Sequence, residues 1–222
     1  MPDGMISPSD FHAADGTADW RVLGDGATAF FRTSSVAESA RLVSAIGALP
    51  GVDQHVPDVD VRSGGVTVRL LTKSDEWYGM SRRDVELASA ISAAARDLGL
   101  VADPTAVQSF LVVPGAQDPA MITPFWRAAL GFVPRPDSPD EDLVDPQDRL
   151  PGFWFEEMDE PRGDQGGAIH VAIWMPYEQA EARVAAAIAA GGHVVRDRAP
   201  MWWTLADSAG NEVDISTVKG RD

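Results

Sequence analysis

The chain has 222 residues, of which 34 are acidic and 18 are basic, so its formal net charge is −16. This charge repels phosphate backbones and anionic headgroups, which excludes nucleic acid and membrane surfaces as expected partners. The absence of cysteine excludes disulfides, thiolate nucleophiles and cysteine-ligated zinc, and leaves His, Asp, Glu and Gln as ligands for any metal. No secretory pattern and no apolar stretch of ~20 residues is present, so we expect a cytoplasmic protein.

The length and the 45% apolar content predict two domains, each with its own core. Residues 1–18 are rich in Gly, Ser, Asp and Pro, which favours a flexible segment. Gly99 can end a helix and Pro104 blocks its continuation, so a linker is expected there. The flexible segment is predicted to cover residues 1–18, and the first domain residues 19–99. The linker is predicted at residues 100–105, and the second domain at residues 106–222.

The first domain is predicted to have a strand, a helix, two further strands and a second helix. Ser34 and Ser35 are plausible caps of the first helix, and Ser81 is a plausible cap of the second. Gly64 and Gly65 predict a hairpin turn between the two later strands. The predicted elements are a strand at residues 28–32, a helix through residue 48, strands at 59–61 and 66–71, and a helix at 81–98.

The second domain contains an internal repeat. Gln108 precedes Pro114 by six residues, and His170 precedes Pro176 by six residues. A helix and then strands follow each proline, which predicts two βαβββ units. The later strands are expected at residues 152–158, 202–206 and 212–217. The acidic segment 137–148 lacks the ligand order of a calcium loop, and we expect it to be a solvated, flexible loop.

The segment DQHVPDVDVRSGGVTVRLLT, followed by Gly79-Met80-Ser81 and by Asp84 at the start of a helix, resembles the signature region of pterin-4a-carbinolamine dehydratases. The resemblance covers residues 20–98 and implies an α/β sandwich with a pterin pocket. The reaction of that family eliminates the 4a-hydroxyl as water, which needs a general acid and a base. The resemblance implies His55, Asp58 and Lys73 as candidate catalytic residues.

This sequence departs from the family motif at two positions. Val56 stands where the family has a second histidine, and Lys73 stands where a histidine follows Thr72. Valine transfers no proton, and a lysine with an ordinary pKa of about 10.4 is a slow base near neutrality. Two interpretations follow, an active 4a-hydroxytetrahydrobiopterin dehydratase, which is a lyase, or a degenerate domain that binds a ligand or mediates assembly.

Residues 107–218 resemble the glyoxalase-like branch of the vicinal-oxygen-chelate superfamily. The segments that carry the resemblance are FWRAALGF, FWFEEM, IHVAIW and DSAGNEVDIS. This family folds paired βαβββ modules into a curved sheet around a cavity, and its metal-binding members take ligands from the first and last strands of each module. The corresponding positions are Gln108, Glu156, His170 and Asp214, a set compatible with a divalent ion such as Mg²⁺, Mn²⁺, Fe²⁺ or Ni²⁺.

The alternative for this domain is a metal-free cavity, since many glyoxalase-like proteins bind a hydrophobic or aromatic ligand without metal. Its candidate ligand-binding residues are Trp154, Trp174, Trp202 and Trp203, with packing in the core as the other interpretation of each. The fold class is therefore α+β, and the expected function is small-molecule metabolism through the second cavity, as a glyoxalase-like lyase or isomerase. Non-catalytic sequestration of an aromatic ligand remains open. Both families often form dimers or larger assemblies, which implies a homo-oligomer.

Overall fold

The computed structural model describes residues 4–24, 26–159, 169–206 and 212–221. The chain forms two compact units: one contains the described residues up to Val107 together with those from Val218 onward, and the other runs from Gln108 to Thr217. Both units combine helices with sheets, as expected for the α+β class. No helix within the described ranges is long and apolar enough to cross a membrane.

The first unit has two antiparallel sheets. The larger has the strand order β2-β3-β5-β4, with β8 also pairing with β3, and the smaller has the order β1-β7-β6. The strands are β1 (Met5–Ile6), β2 (Arg21–Leu23), β3 (Gly26–Arg32), β4 (Asp58–Arg62), β5 (Gly65–Leu70), β6 (Thr72–Ser74), β7 (Trp77–Ser81) and β8 (Val101–Ala102). The helices are α1 (Pro8–Ala13), α2 (Val36–Gly47) and α3 (Arg82–Asp97).

Local sequence explains where the two long helices begin. The Ser35 hydroxyl accepts a hydrogen bond from the Glu38 N–H at 3.2 Å and starts α2. Ser81 and Asp84 form a capping box that starts α3. The apolar faces of these helices and the inward side chains of β3 and β5 share one core, which includes Trp20, Phe31, Leu42, Val66, Val68, Leu70, Ala88 and Ile91. These elements confirm the predicted strand, helix, hairpin and helix.

The N-terminal segment differs from the expected flexible one. Helix α1 is capped by Ser7 and Asp10, and Phe11 on this helix is 0% exposed in the core of the first unit. Strand β1 pairs with β7. A buried aromatic ring, a capping box and the pairing of β1 with β7 hold this segment in the first unit, although its average composition is polar. Part of the expected linker is also built into this unit, because β8 pairs with β3.

The second unit has a mixed sheet of nine strands within the described residues. Its order is β10-β11-β12-β9-β14-β17-β16-β15, and β13 also pairs with β9. The strands are β9 (Ser109–Ala116), β10 (Val133–Arg135), β11 (Ser138–Val144), β12 (Phe153–Trp154), β13 (Glu156–Glu157), β14 (Ile169–Trp174), β15 (His193–Arg198), β16 (Trp202–Ala206) and β17 (Glu212–Ser216). The helices are α4 (Thr123–Leu130) and α5 (Tyr177–Ala189).

The strand order confirms the paired βαβββ modules. The first module is β9, α4, β10, β11 and a last strand made of β12 and β13, which both pair with β9. The second is β14, α5 and β15–β17, and antiparallel pairing of β9 with β14 joins the two modules. The acidic segment 137–148, expected to be a loop, instead contains β11, which forms a hairpin with β10. The physical reason is Leu143, which is fully buried in the core beneath α4 and holds the strand against the sheet.

The sheet of the second unit has two distinct faces. Helix α4 lies over Phe153 and Leu143, and helix α5 lies over Trp203, Leu205 and Ile215. Because side chains alternate along a strand, the residues between these lie on the opposite face. We call this opposite face the His170 face. Its side chains include Asp142, Trp154, Glu156, His170, Trp174, Trp202, Thr204 and Asp214.

Candidate functional site

The first unit places His55 against a buried carboxylate. His55 follows the short 3₁₀ turn Val52–Gln54, and Asp84 lies in the first turn of α3. The His55 Nε2 is 2.6 Å from Asp84 Oδ1, and the Asp84 side chain is 0% exposed. The remaining part of the His55 ring stays partly accessible, since its side chain is 15% exposed. The Nε2 side of the imidazole is therefore held by Asp84, while the Nδ1 side points away from that carboxylate.

Three further donors hold the second oxygen of Asp84. The Thr72 hydroxyl, the Ser81 hydroxyl and the Ser81 N–H donate to Oδ2 at 2.7, 2.8 and 2.7 Å. Burial alone raises the pKa of Asp84, but the hydrogen bonds from His55, Thr72 and Ser81 outweigh it and lower the pKa below its ordinary value. The carboxylate engages Nε2 of His55, and Nδ1 is the ring nitrogen that Asp84 does not contact.

The structure divides the other candidates of this unit between different surfaces. Asp58 has a 51% exposed side chain, and its carboxylate pairs with Arg69 at 2.7 Å. Lys73 lies on the opposite face of β6 from Thr72, with its ammonium 5.9 Å from the centre of the Tyr78 ring. Asp84 is thus the partner of His55 that the sequence did not assign. The available signal was its position in the capping box with Ser81, close in sequence to Thr72.

The second unit places His170 between two carboxylates. His170 is 4% exposed. Its Nε2 is 3.3 Å from Asp214 Oδ2, and its Nδ1 is 3.9 Å from Glu156 Oε2. The buried Thr204 hydroxyl donates to the other Asp214 oxygen at 2.6 Å. The register explains this meeting, because Asp214 lies opposite Ala172 on β14 and opposite Thr204 on β16.

Gln108, the fourth predicted metal ligand, is not brought to this group. It is exposed and precedes β9, whose first residue Ser109 pairs with Trp174. His170 instead lies opposite Val113, a buried apolar residue five positions further along the chain than Gln108. Five strand residues correspond to about 16 Å. Gln108 and His170 each precede a proline by six residues, but this shared spacing does not determine how β9 and β14 align with each other.

The described residues do not fit a divalent metal. Among them, no group of three or more His, Asp or Glu side chains is arranged to hold an ion. Glu156 and Asp214 face opposite nitrogens of His170, whereas metal ligands must converge on one point at about 2.0–2.2 Å from each donor atom. An ion bound to Nε2 would therefore have Asp214 as its second ligand but not Glu156. Val113, which lies opposite His170 on β9, has no side-chain atom that can bind a metal.

The predicted tryptophans fall on both faces of the sheet. Trp203 is buried in the core beneath α5. Trp154, Trp174 and Trp202 belong to the His170 face, and Trp154 is 38% exposed. Three of the four predicted tryptophans therefore share a face with His170, as a ligand-stacking role requires.

A further carboxylate lies on the His170 face. Asp142 is opposite Trp154 in the β11/β12 pair, and its carboxylate is 3.3 Å from the Arg135 guanidinium. Burial raises the pKa of Asp142 above its ordinary value, although the charge of Arg135 opposes this change. The His170 face thus contains a carboxyl group that favours its neutral form more than an exposed aspartate does.

The fold and these sites define a fused, two-domain α+β protein. Residues 6–94 match the family model described as pterin 4 alpha carbinolamine dehydratase, and residues 111–216 match the one described as a glyoxalase-like domain. The chain therefore joins a pterin dehydratase-like domain to a glyoxalase-like domain. Part of the DSAGNEVDIS segment, residues 207–211, lies outside the described residues.

No curated protein matches the sequence. Among solved structures, the chain is similar to the solution NMR structure of protein ATC0852 from Agrobacterium tumefaciens. The two share 19% sequence identity over 48% of this chain and 93% of that chain, with a TM-score of 0.18. A likeness at this TM-score supports no conclusion about fold or function.

Proposed function

We propose that the protein acts in small-molecule metabolism through the His170 face of its glyoxalase-like unit. The observation that carries this proposal is the placement of a buried histidine between Glu156 and Asp214. The descriptions of both matched families fit small-molecule chemistry. Trp154, Trp174 and Trp202 on the same face favour a small cyclic or aromatic ligand that can stack on an indole ring.

His170 is the group proposed to transfer a proton. Asp214, oriented by Thr204, holds Nε2, whereas the 3.9 Å separation between Nδ1 and Glu156 is too long for a hydrogen bond. In this proposal an oxygen atom of a substrate displaces the Glu156 carboxylate, which is 31% exposed, and takes its place beside Nδ1. Histidine exchanges protons near neutral pH, and Glu156 can receive or return the proton. This scheme needs no metal, in agreement with the poor fit of the donor set.

A ligand screen tests this proposal. Thermal-shift measurements with a panel of small cyclic and aromatic carbonyl compounds would identify a binder, and wild-type protein would be assayed for its conversion. We expect His170→Gln to abolish conversion while a ligand stacked on the tryptophans still binds. A ligand that binds wild-type protein and is never converted would favour sequestration instead. A stoichiometric divalent ion that is lost in His170→Ala would overturn the metal-free scheme.

A second candidate function is dehydration of a pterin 4a-carbinolamine by the first unit. The hydrogen bond between His55 and the buried Asp84 favours it, because this pair fixes the imidazole at Nε2, so that the imidazolium form would give its Nδ1 proton to the leaving hydroxyl and return to the neutral ring as water departs. A 4a-carbinolamine turnover assay tests it, with His55→Ala expected to remove the activity and Lys73→Met expected to retain it. Turnover unaffected by His55→Ala would contradict this function. If neither variant nor wild type turns over, the unit serves binding or assembly.

We also expect a homo-oligomer. Size-exclusion chromatography with light scattering would measure its mass, and a mass of one chain at micromolar concentration would contradict this expectation.

A further inference from the structure

The first unit contains a buried hydrogen-bond donor that has no partner. The Trp77 indole N–H on β7 is inaccessible to solvent, and within the described residues it is the one buried side-chain polar atom without a hydrogen bond. Trp20 in the same unit shows the usual arrangement, since its indole N–H donates to Ala88 O at 3.2 Å and to Ser92 Oγ at 3.0 Å. A buried donor without an acceptor is unfavourable and rare, and calls for an explanation.

The Trp77 side chain lies on the face of the β6/β7 hairpin that also carries two donors to Asp84. Side chains two apart on a strand share a face, so Trp77, Gly79 and Ser81 lie on one side of β7. Thr72 pairs with Gly79 and lies on the same side. Both Thr72 and Ser81 donate to Asp84, the partner of His55. The hairpin face that carries the indole is therefore the face that builds the histidine site.

Gly79 permits the close approach of the indole. A Cβ atom added at Gly79 would lie 2.8–2.9 Å from three atoms of the Trp77 ring, including Nε1. The five-membered edge of the ring that carries Nε1 therefore lies close to Gly79. The hairpin tip at Ser74, Asp75 and Glu76, directly before Trp77, is exposed.

We propose that the Trp77 indole N–H is a ligand-binding donor that fixes one acceptor atom of a flat heteroaromatic molecule held beside His55. The acceptor is a ring carbonyl oxygen or a ring nitrogen. This inference rests on the second candidate function, because it assigns the ligand of the His55 site. It adds a positioning group to that site, in place of Lys73, which lies on the other face of the hairpin.

Calorimetric titration of the full chain with biopterin tests the inference. Trp77→Phe keeps an aromatic ring and removes the N–H, and we expect the Kd to rise about 3- to 10-fold. The thermal midpoint of the free variant should stay close to that of wild type, because no hydrogen bond of the free protein is lost. Trp20→Phe is the matched control. It should lower the thermal midpoint and leave the Kd unchanged at temperatures where the protein is folded.

Each outcome separates the inference from the second function. Equal affinity of wild type and Trp77→Phe would overturn the role of the indole and leave pterin binding intact. A fall in thermal midpoint as large as that of Trp20→Phe would also overturn it, because the N–H would then have a partner in the free protein. No binding of biopterin by wild type would instead overturn the second function, and this ligand assignment with it.

Discussion

Each unit places a histidine against an aspartate, but the two pairs differ in burial and in how firmly the carboxylate is held. Asp84 is fully buried, lies 2.6 Å from His55 and accepts three further hydrogen bonds from Thr72 and Ser81. Asp214 is 17% exposed and 3.3 Å from its histidine, with Thr204 as a donor. Four hydrogen bonds hold the Asp84 carboxylate in place. The Asp214 carboxylate has one hydrogen bond, from Thr204, and a longer contact with His170, so it is held less firmly.

The largest effect is expected from Asp84→Ala. This change removes the acceptor of His55 and of the Ser81 N–H and leaves the Thr72 and Ser81 hydroxyls only each other, and should lower the free energy of unfolding of the first unit by about 3–5 kcal/mol. Urea unfolding with hydrogen-exchange mass spectrometry would assign the loss to this unit. Asp58→Asn is the control, since that half-exposed ion pair should contribute at most about 1 kcal/mol. Equal losses in the two variants would contradict the fixed network.

A smaller loss is expected from Asp214→Ala in the second unit. The buried Thr204 hydroxyl loses its acceptor and His170 loses the closer of its two carboxylates, so we expect a decrease of about 1–3 kcal/mol in the free energy of unfolding. Adding Thr204→Val should recover part of it, because the unpartnered hydroxyl is then removed. Thermal unfolding of the single and double variants measures both terms. No recovery in the double variant would show that the hydroxyl is satisfied in another way.

The two buried aspartates predict opposite responses to pH. The pKa of Asp84 lies below the ordinary value of 3.8, so the unfolded state binds the proton first and this stabilising contribution is lost as the pH falls below about 3.8. The pKa of Asp142 lies above 3.8, so its contribution favours folding at low pH and is lost as the pH rises through the folded-state pKa. Unfolding of Asp84→Asn and Asp142→Asn from pH 2.5 to 7 tests both directions, and parallel changes in the two variants would refute the assignment.

The smallest effect is expected from Lys73→Met. Its exposed ammonium interacts with the face of Tyr78, and such a surface contact contributes about 0.5 kcal/mol or less. Thermal unfolding should therefore barely change, and biopterin affinity should stay as in wild type. A large loss of affinity would show that Lys73 acts at the His55 site from the opposite face of the hairpin.

The fold was largely predictable because its signals are local. Ser35 and Ser81 mark helix starts, and Val66, Val68 and Leu70 alternate on a buried strand face. The burial of Phe11 and the β11 strand were not predictable from composition, since one anchoring side chain in each segment outweighs many polar neighbours. Such anchors act through tertiary contacts that a window of sequence does not contain.

The candidate sites were predictable only in part. Family position named Glu156, His170 and Asp214 together, and the structure places both carboxylates within 3.9 Å of His170, while their role as metal ligands or catalytic groups stays a prediction. The structure does not place Gln108 with these residues, because the register of β9 against β14 depends on the packing of both strands. A shift of the register by one residue moves every side chain of a strand to the other face of the sheet. Asp84 was missed because its partner His55 is 29 residues away in sequence. The local sequence indicates only that Asp84 caps helix α3, and its contact with His55 depends on the tertiary fold.

Val218 packs against the core of the first unit, although it follows the second unit in sequence. The glyoxalase-like unit is thus inserted, in topological terms, into its neighbour rather than appended to it. A truncation after residue 105 would not isolate a complete first unit, because it would remove this C-terminal segment. An expression design that keeps the first unit whole would join residue 107 to residue 218 through a flexible Gly/Ser linker.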